Sequence, residues 1–313
     1  MDTDMSNRRD LVEIFGYSPV DLTPEVRSLW ALGACPFLNK ECVKINHDQT
    51  IIYGTCSVTS PYGDVIICPN RLYANNYETL LKVSHDAFGV DIPFLTYGQF
   101  IEQRANHKDC IIALGKNSGK EVQVGRALSM DWVLVRMTDG QIKEYVGIEI
   151  QSIDITGNYR DAWHAYKNIK PTDDRNELPT SQHGLNWANV HKRLIPQIIR
   201  KGVVYSRSNY VKKGLYFILP DIVYKKFEDV IGSDIPLLDC QNNKTITVYT
   251  YGLGANVPNG QQRTLVQNRR IIFDLDEFSK RFTTGPNLPS GEDLDAVIKR
   301  ALGVLGDAAN LLI

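Results

Sequence analysis

No stretch of this chain approaches the roughly 20 consecutive apolar residues that a membrane-spanning helix needs. Its longest apolar runs are short, as at 111–114 and 214–219. The first ten residues, MDTDMSNRRD, are polar and carry no hydrophobic signal region, so a cytoplasmic protein is the expectation. Net charge is almost absent: 35 Lys and Arg balance 36 Asp and Glu, for −1 at pH 7. That balance excludes a uniformly basic chain but not a basic groove offset by acidic residues elsewhere. Internal repeats and low-complexity tracts are missing, which excludes solenoid and disordered classes.

Several familiar catalytic signatures are missing as well. Gly115-Lys-Asn-Ser-Gly119-Lys120-Glu121 is one residue short of a P-loop and lacks the Ser or Thr after lysine. Gly252-Leu-Gly254 continues without the third glycine of a dinucleotide fingerprint, and no H-E-x-x-H occurs. His183, Asn189 and His191 have a superficial likeness to an HNH nuclease, but they are too compressed for that hairpin–helix motif.

What remains is ordinary globular composition: 313 residues, 43% hydrophobic and 23% charged. This length suits one large domain or a small module ahead of a main one. Charge is unevenly placed. Residues 178–220 contain no Asp or Glu, yet include Lys192, Arg193, Arg200, Lys201, Arg207, Lys212 and Lys213. A basic face of that kind either is simply solvated or meets an anionic partner.

The six cysteines of a cytosolic chain point to metal, catalysis or burial rather than disulfides. Cys110 and Cys240, beside apolar residues, read as packed small hydrophobes. The other four, Cys35, Cys42, Cys56 and Cys68, are separated by six, thirteen and eleven residues in a segment dense in Gly, Pro and Asn. Four thiolates can close a tetrahedral site and order a segment too small and polar to build a core. Pro36 and Pro69 stiffen two of the cysteine turns, and Gly54 permits a tight loop before Cys56. The alternative is four unconnected buried thiols.

The remaining pattern is mixed α and β. Asp21-Leu-Thr-Pro-Glu opens a helix; 77–83 and 97–104 read as short helices and 110–114 as a buried strand. Strands are expected at 132–137 and 142–151, with Asp139-Gly140 as a hairpin turn between them. A helix over 186–201, disturbed at Pro196, precedes strands at 203–205, 215–219, 245–251 and 270–274. Helices open near Asp276 and run over 292–302. The expected fold is an α/β (mixed α+β) domain around a mixed sheet, with an N-terminal helical segment (1–33), a cysteine module (34–75) and the main domain (76–313).

The sharpest chemical feature lies on that hairpin. Residues two apart on a strand share a face, so Glu149 and Gln151 point one way and Ile148 and Ile150 the other. A two-residue loop would set Asp131 against Ile148, on the wrong face. A three-residue loop with Gly140 left-handed would set it against Glu149 and gather Asp131, Glu149 and Gln151. Two carboxylates with a polar third group suit Mg²⁺, which orients a water and neutralises charge on a phosphate. An amphipathic hairpin with a solvated polar face is the other reading.

Taken together, Ala34-Cys35-Pro36-Phe37, Cys42, Gly54-Thr-Cys56-Ser-Val and Ile67-Cys68-Pro69-Asn-Arg71 resemble the cysteine-rich signature of NotI-type restriction endonucleases. Asp131 and Glu149-Ile-Gln151 are similar to the active-site pattern of the same family, a PD-(D/E)xK variant with glutamine in place of lysine. The likeness runs more loosely through Ser181-Gln-His-Gly-Leu-Asn-Trp187 and Lys192-Arg193-Leu-Ile-Pro196-Gln, covering about residues 30–220. In length the chain is nearer the EagI-like members. The resemblance implies a PD-(D/E)xK nuclease core, Mg²⁺-dependent cleavage, and a bacterial homodimer acting on a GC-rich palindrome of double-stranded DNA, with a cognate methyltransferase as genetic partner. It implies that Cys35, Cys42, Cys56 and Cys68 hold a structural iron, with zinc the alternative. Asp131 and Glu149 would bind Mg²⁺ and Gln151 would stand in for the motif lysine, offering a dipole where lysine offers a charge. Glu121 is a weaker candidate for a further metal-side carboxylate. Lys192, Arg193, Arg200 and Arg207 are the candidate DNA contacts. Two other classes fit the residues: a non-catalytic DNA-binding protein with a cysteine knot, and a repair or structure-specific nuclease of the same fold.

Overall fold

The computed structural model describes residues 8–46, 48–103, 108–125, 128–285 and 288–303. The chain opens with strand β1 (Leu11–Ile14) and helix α1 (Pro24–Leu32), which has Pro24 in its first turn as expected and ends at the left-handed Gly33. The cysteine segment follows as short pieces: β2 (Ala34–Cys35), β3 (Lys40–Glu41), β4 (Thr55–Ser60) and β5 (Gly63–Ile66). β2 pairs with β3, and β4 lies between β1 and β5. A 3-10 turn (Pro69–Tyr73) then leads into α2 (Ala74–Phe88).

The cysteine segment is tied to both its neighbours. Arg71, after Cys68, forms a fully buried ion pair with Glu13 of β1, and Ser57 of β4 donates to the same carboxylate at 2.9 Å. Trp132 donates its indole N–H to the Tyr73 hydroxyl at 3.1 Å. One apolar core therefore runs from Leu11 through the four clustered cysteines to Phe278.

After α2 come β6 (Phe94–Thr96), α3 (Tyr97–Gln103) and β7 (Cys110–Gly115). The expected end of that helix at Arg104 falls outside the described residues. A hairpin of β8 (Val122–Val124) and β9 (Leu128–Met130) precedes the long pair β10 (Trp132–Thr138) and β11 (Gln141–Ile150). β12 (Ile155–Thr156), α4 (Arg160–Lys167) and β13 (Gly184–Leu185) lead to α5 (Trp187–Asn189). A π-helical turn, Val190–Leu194, joins α5 to α6 (Ile195–Ser206). Pro196 sits in the first turn of α6, so the expected disturbance takes the form of that π turn. The chain closes with β14 (Leu215–Pro220), α7 (Asp221–Ile231), β15 (Thr245–Leu253), β16 (Leu265–Asp274), α8 (Leu275–Thr284) and α9 (Gly291–Ala301).

The expected strand at 203–205 does not exist; these residues belong to α6. Its apolar triplet is too short to distinguish periods of two and 3.6. In the fold, Tyr205 extends the buried stripe that Ile198, Lys201 and Gly202 begin. Cys110 is buried as expected, but Cys240 is exposed, in the loop before β15.

Seven strands form the central sheet in the order β16-β15-β14-β11-β10-β7-β6. β11, β14 and β15 run parallel, as do β6 and β7, while the other pairs are antiparallel, so the sheet is mixed. Every residue of β14 is buried, the mark of a central strand covered on both faces. On one face Trp132, directly opposed to the buried Ile148, meets Tyr73 and Tyr77. The other face is covered by α6, α7 and α8, and it carries Gly147 and Glu149. Among the described residues no helix is long and apolar enough to cross a membrane.

Candidate active site

Asp139 and Gly140 adopt positive φ angles of 50° and 73°, and Thr138 pairs with Gln141, giving a two-residue turn of the I′ kind. The three-residue loop that would gather the carboxylates is therefore not what forms. Continued without interruption, this turn would bring Asp131 level with Ile148. Instead the ladder slips once, because Met137 pairs with Ile142 but Arg136 with Glu144, leaving Lys143 as a bulge. Beyond the bulge Trp132 faces Ile148, and Asp131 comes level with Glu149. The odd residue is absorbed within β11, and the register at the carboxylates follows from burial of Trp132 and Ile148.

Deleting Lys143 is therefore expected to leave the site intact. The six residues then left between Arg136 and Glu144 close as a regular ladder around the same turn. Measured cleavage should match the parent; loss of cleavage with the fold retained would show that the bulge itself sets the register.

Asp131 and Glu149 interlock through the backbone. The Asp131 amide donates to Glu149 Oε1 at 3.4 Å, and Asp131 Oδ2 accepts from the Ile150 amide at 3.0 Å. Gln151 Nε2 reaches the same oxygen at 3.5 Å. The structure thus brings Asp131, Glu149 and Gln151 together. Glu149 is buried, and burial pushes its carboxyl up to about 8; the Asp131 charge adds to this and Lys201 opposes it.

Lys201 is the residue that sequence reasoning missed. It projects from α6, is itself buried, and donates from its amine to Glu149 Oε2. One signal could have found it: Lys201 lies between Ile198 and Tyr205 on the buried stripe of α6, where a solvated lysine has no place. One turn on, the buried Tyr205 hydroxyl finds no hydrogen-bond partner among the described residues.

Gly147 makes this approach possible, since a Cβ there would stand 2.1 Å from the Tyr205 ring. Gly147→Ala is expected to cost about 2–3 kcal/mol by overpacking. It should also lower cleavage by pushing α6, and Lys201 with it, off the sheet. Denaturant melts alongside cleavage rates check this; unchanged values in both would refute the packing argument.

Glu121 is exposed on the β8–β9 hairpin and accepts from the Ser129 hydroxyl rather than joining Asp131 and Glu149. Beside Gln151 opens a cavity of about 580 Å³, lined among others by Lys44, Pro69, Asp154, Asn189, Arg193 and Gln197. Of the four candidate DNA contacts, Arg193 alone lines it; Lys192, Arg200 and Arg207 are exposed elsewhere on the same helical segment. His183 is structural: its Nε2 donates to the Thr59 carbonyl at 2.8 Å and Ser181 Oγ lies 2.6 Å from Nδ1. Burial lowers its pKa.

Cys35, Cys42, Cys56 and Cys68 are all buried and unbridged. The Lys44 amide donates to Cys42 Sγ at 3.4 Å, and Cys56 Sγ donates to the Gly54 carbonyl at 3.3 Å. Burial raises the pKa of each thiol, that of Cys42 to about 11, and Cys42, Cys56 and Cys68 each feel the charge of at least one other. Among the described residues, no three His, Cys, Asp or Glu side chains lie close enough as they stand to form a metal-binding group. In donor chemistry the four thiols suit a soft or borderline cation, whose charge would offset the cost of burying thiolates. Asp131 and Glu149 suit a hard cation that takes its other ligands from water and substrate, so a third protein ligand is not required.

No curated protein matches the chain. A family model does: residues 34–219 match that of the restriction endonuclease NotI. This span begins at β2, takes in the four clustered cysteines, Asp131, Glu149, Gln151 and Lys201, and ends within β14. As the match covers more than half of the 313 residues, the chain belongs to the NotI restriction endonuclease family.

Proposed function

We propose that the chain is a type II restriction endonuclease that makes Mg²⁺-dependent double-strand cuts at a specific DNA sequence, a GC-rich palindrome, as a homodimer. The observation that carries this reading is the meeting of Asp131, Glu149 and Gln151 at the end of β10 and β11, beside a cavity bordered by Lys44 and Arg193. Asp131 and Glu149 would hold Mg²⁺, which when bound lowers the pKa of a water and offsets charge on the scissile phosphate. Gln151 steadies the Asp131 carboxylate through its amide N–H. Lys44 and Arg193 offer positive charge to the DNA backbone along the cavity, and Gln197 a neutral hydrogen-bonding group. Lys192, Arg200 and Arg207 extend the basic surface. Residues 34–75 form the metal-binding module, with Cys35, Cys42, Cys56 and Cys68 holding iron, or zinc in its place. The main domain from 76 onward is a PD-(D/E)xK core. The setting is a bacterial cytoplasm in which a cognate methyltransferase protects the host sites.

Digestion of a sequenced plasmid with Mg²⁺, followed by mapping of the ends, tests this reading. Discrete, reproducible fragments with a common end sequence support it. Salt-sensitive DNA binding without cleavage would point instead to a non-catalytic DNA-binding protein. Cutting without sequence preference would point to a repair or structure-specific nuclease.

A further inference from the structure

In PD-(D/E)xK sites the motif lysine supplies a positive charge, and in this chain Gln151 stands in its place. We infer that Lys201 of α6 supplies that charge, delivered from a helix rather than from the strand. The inference rests on the nuclease reading. Glu149 and Gln151 share a face of the sheet, so a lysine side chain at 151 and the Lys201 side chain would approach the same carboxylate pair from different elements. Lys201 is 52 residues away from Glu149 in sequence, and both members of the pair are almost fully buried.

Two features separate this pair from a merely structural ion pair. Burying an amine and a carboxylate is expensive, and apolar residues of similar volume usually serve packing as well or better. The rest of β11's inner half is aliphatic or glycine, so an apolar solution is available locally. Lys201 meets Glu149, and its single charge would not cancel both Asp131 and Glu149 once a bound cation holds them ionised. The other groups near Glu149 are Asp131 and the hydroxyl of Tyr205, which has no hydrogen-bond partner among the described residues, while Gln151 is neutral. In the metal-free protein the ammonium contacts Glu149. With DNA bound, the same amine is positioned to stabilise charge building on the phosphate.

The test moves the charge back to the strand. Lys201→Met keeps the unbranched stem but not the ammonium, and is expected to slow single-turnover cleavage about a hundredfold, the scale of one lost electrostatic contact. Ca²⁺-supported DNA binding should change little, while the melting temperature of the metal-free protein should fall, because the Glu149 carboxyl loses its buried partner. Calorimetric Ca²⁺ affinity of the DNA-free protein should be unchanged or tighter, because no ammonium competes for Glu149. The double variant Lys201→Met/Gln151→Lys is expected to regain at least about tenfold of the lost rate, since an equivalent charge returns to the same site. Wild-type rates in Lys201→Met would overturn the inference, as would weakened Ca²⁺ binding or a double variant that folds but recovers nothing. Should Lys201→Met fail to fold, the double variant decides, since its strand lysine again pairs Glu149. If the parent itself does not cut plasmid, the nuclease reading falls with it; if the parent cuts and Asp131→Asn does not, only the assignment of Lys201 is at stake.

Discussion

Asp131→Asn and Glu149→Gln are each expected to lower the rate of DNA cleavage about a thousandfold or more, roughly 4 kcal/mol of transition-state stabilisation. Each change keeps the shape and most hydrogen bonds of the site. Asparagine can still accept from the Ile150 amide as Asp131 Oδ2 does, and glutamine can still accept through its one carbonyl oxygen from the Lys201 amine, giving up the longer bond from the Asp131 amide. What disappears is one of the two negative charges that would hold the cation. The amides are preferable to alanine here. Glu149→Ala would leave the Lys201 ammonium buried and unpaired, at a cost of about 3–5 kcal/mol, and would confuse folding with chemistry. Specific DNA binding in Ca²⁺ should stay within a few-fold of the parent, because the basic groups lining the cavity are untouched. Single-turnover plasmid cleavage and a Ca²⁺ binding assay read the two effects separately. A variant that still cuts at an appreciable fraction of the parental rate would remove these carboxylates from the site.

The second large effect is expected from the cysteines. Cys56→Ser should lower stability by several kcal/mol, with loss of bound iron or zinc and a fall in melting temperature on the order of 10 °C. Cys56 is buried in β4, the strand that joins β1 to β5 and lies close in sequence to Gly54, which has no room for a side chain beside Phe15. The same core continues into Cys68 and the 3-10 turn that carries Arg71 onto Glu13. Loss of the metal should therefore loosen β1 and the Tyr73–Trp132 contact as well as the cysteine loops. Metal analysis of purified protein and thermal melts with and without chelator make the comparison. A quadruple serine variant that is metal-free and as stable as the parent would refute a structural metal at these positions.

Much of the scaffold around these residues is legible from local pattern. The apolar runs that become β7 and β14 are buried strands because nothing polar interrupts them, and β15 declares itself by its β-branched and aromatic residues. Asp139-Gly140 declares its turn because few residue pairs tolerate two successive positive φ angles. The shared face of Glu149 and Gln151 follows from the two-residue repeat of a strand. The error over 203–205 has an equally local cause: a lone apolar triplet lacks the length to show which period it obeys.

Sequence by itself determined the chemistry on offer: four clustered thiols, two carboxylates and a glutamine near one hairpin, and a basic stretch free of acids. Tertiary structure decided how those groups meet. Residue counting shows that one residue between Asp131 and Glu149 is odd, but not whether the turn or the strand absorbs it. That choice is made by burial of Ile148 and packing of Trp132 against Tyr73 and Tyr77, which fixes the register and expels Lys143 as a bulge. The partnership of Lys201 with Glu149 was likewise beyond sequence, because it depends on where α6 crosses the sheet. Gly147 and Tyr205 determine that crossing by close contact between elements far apart in the chain.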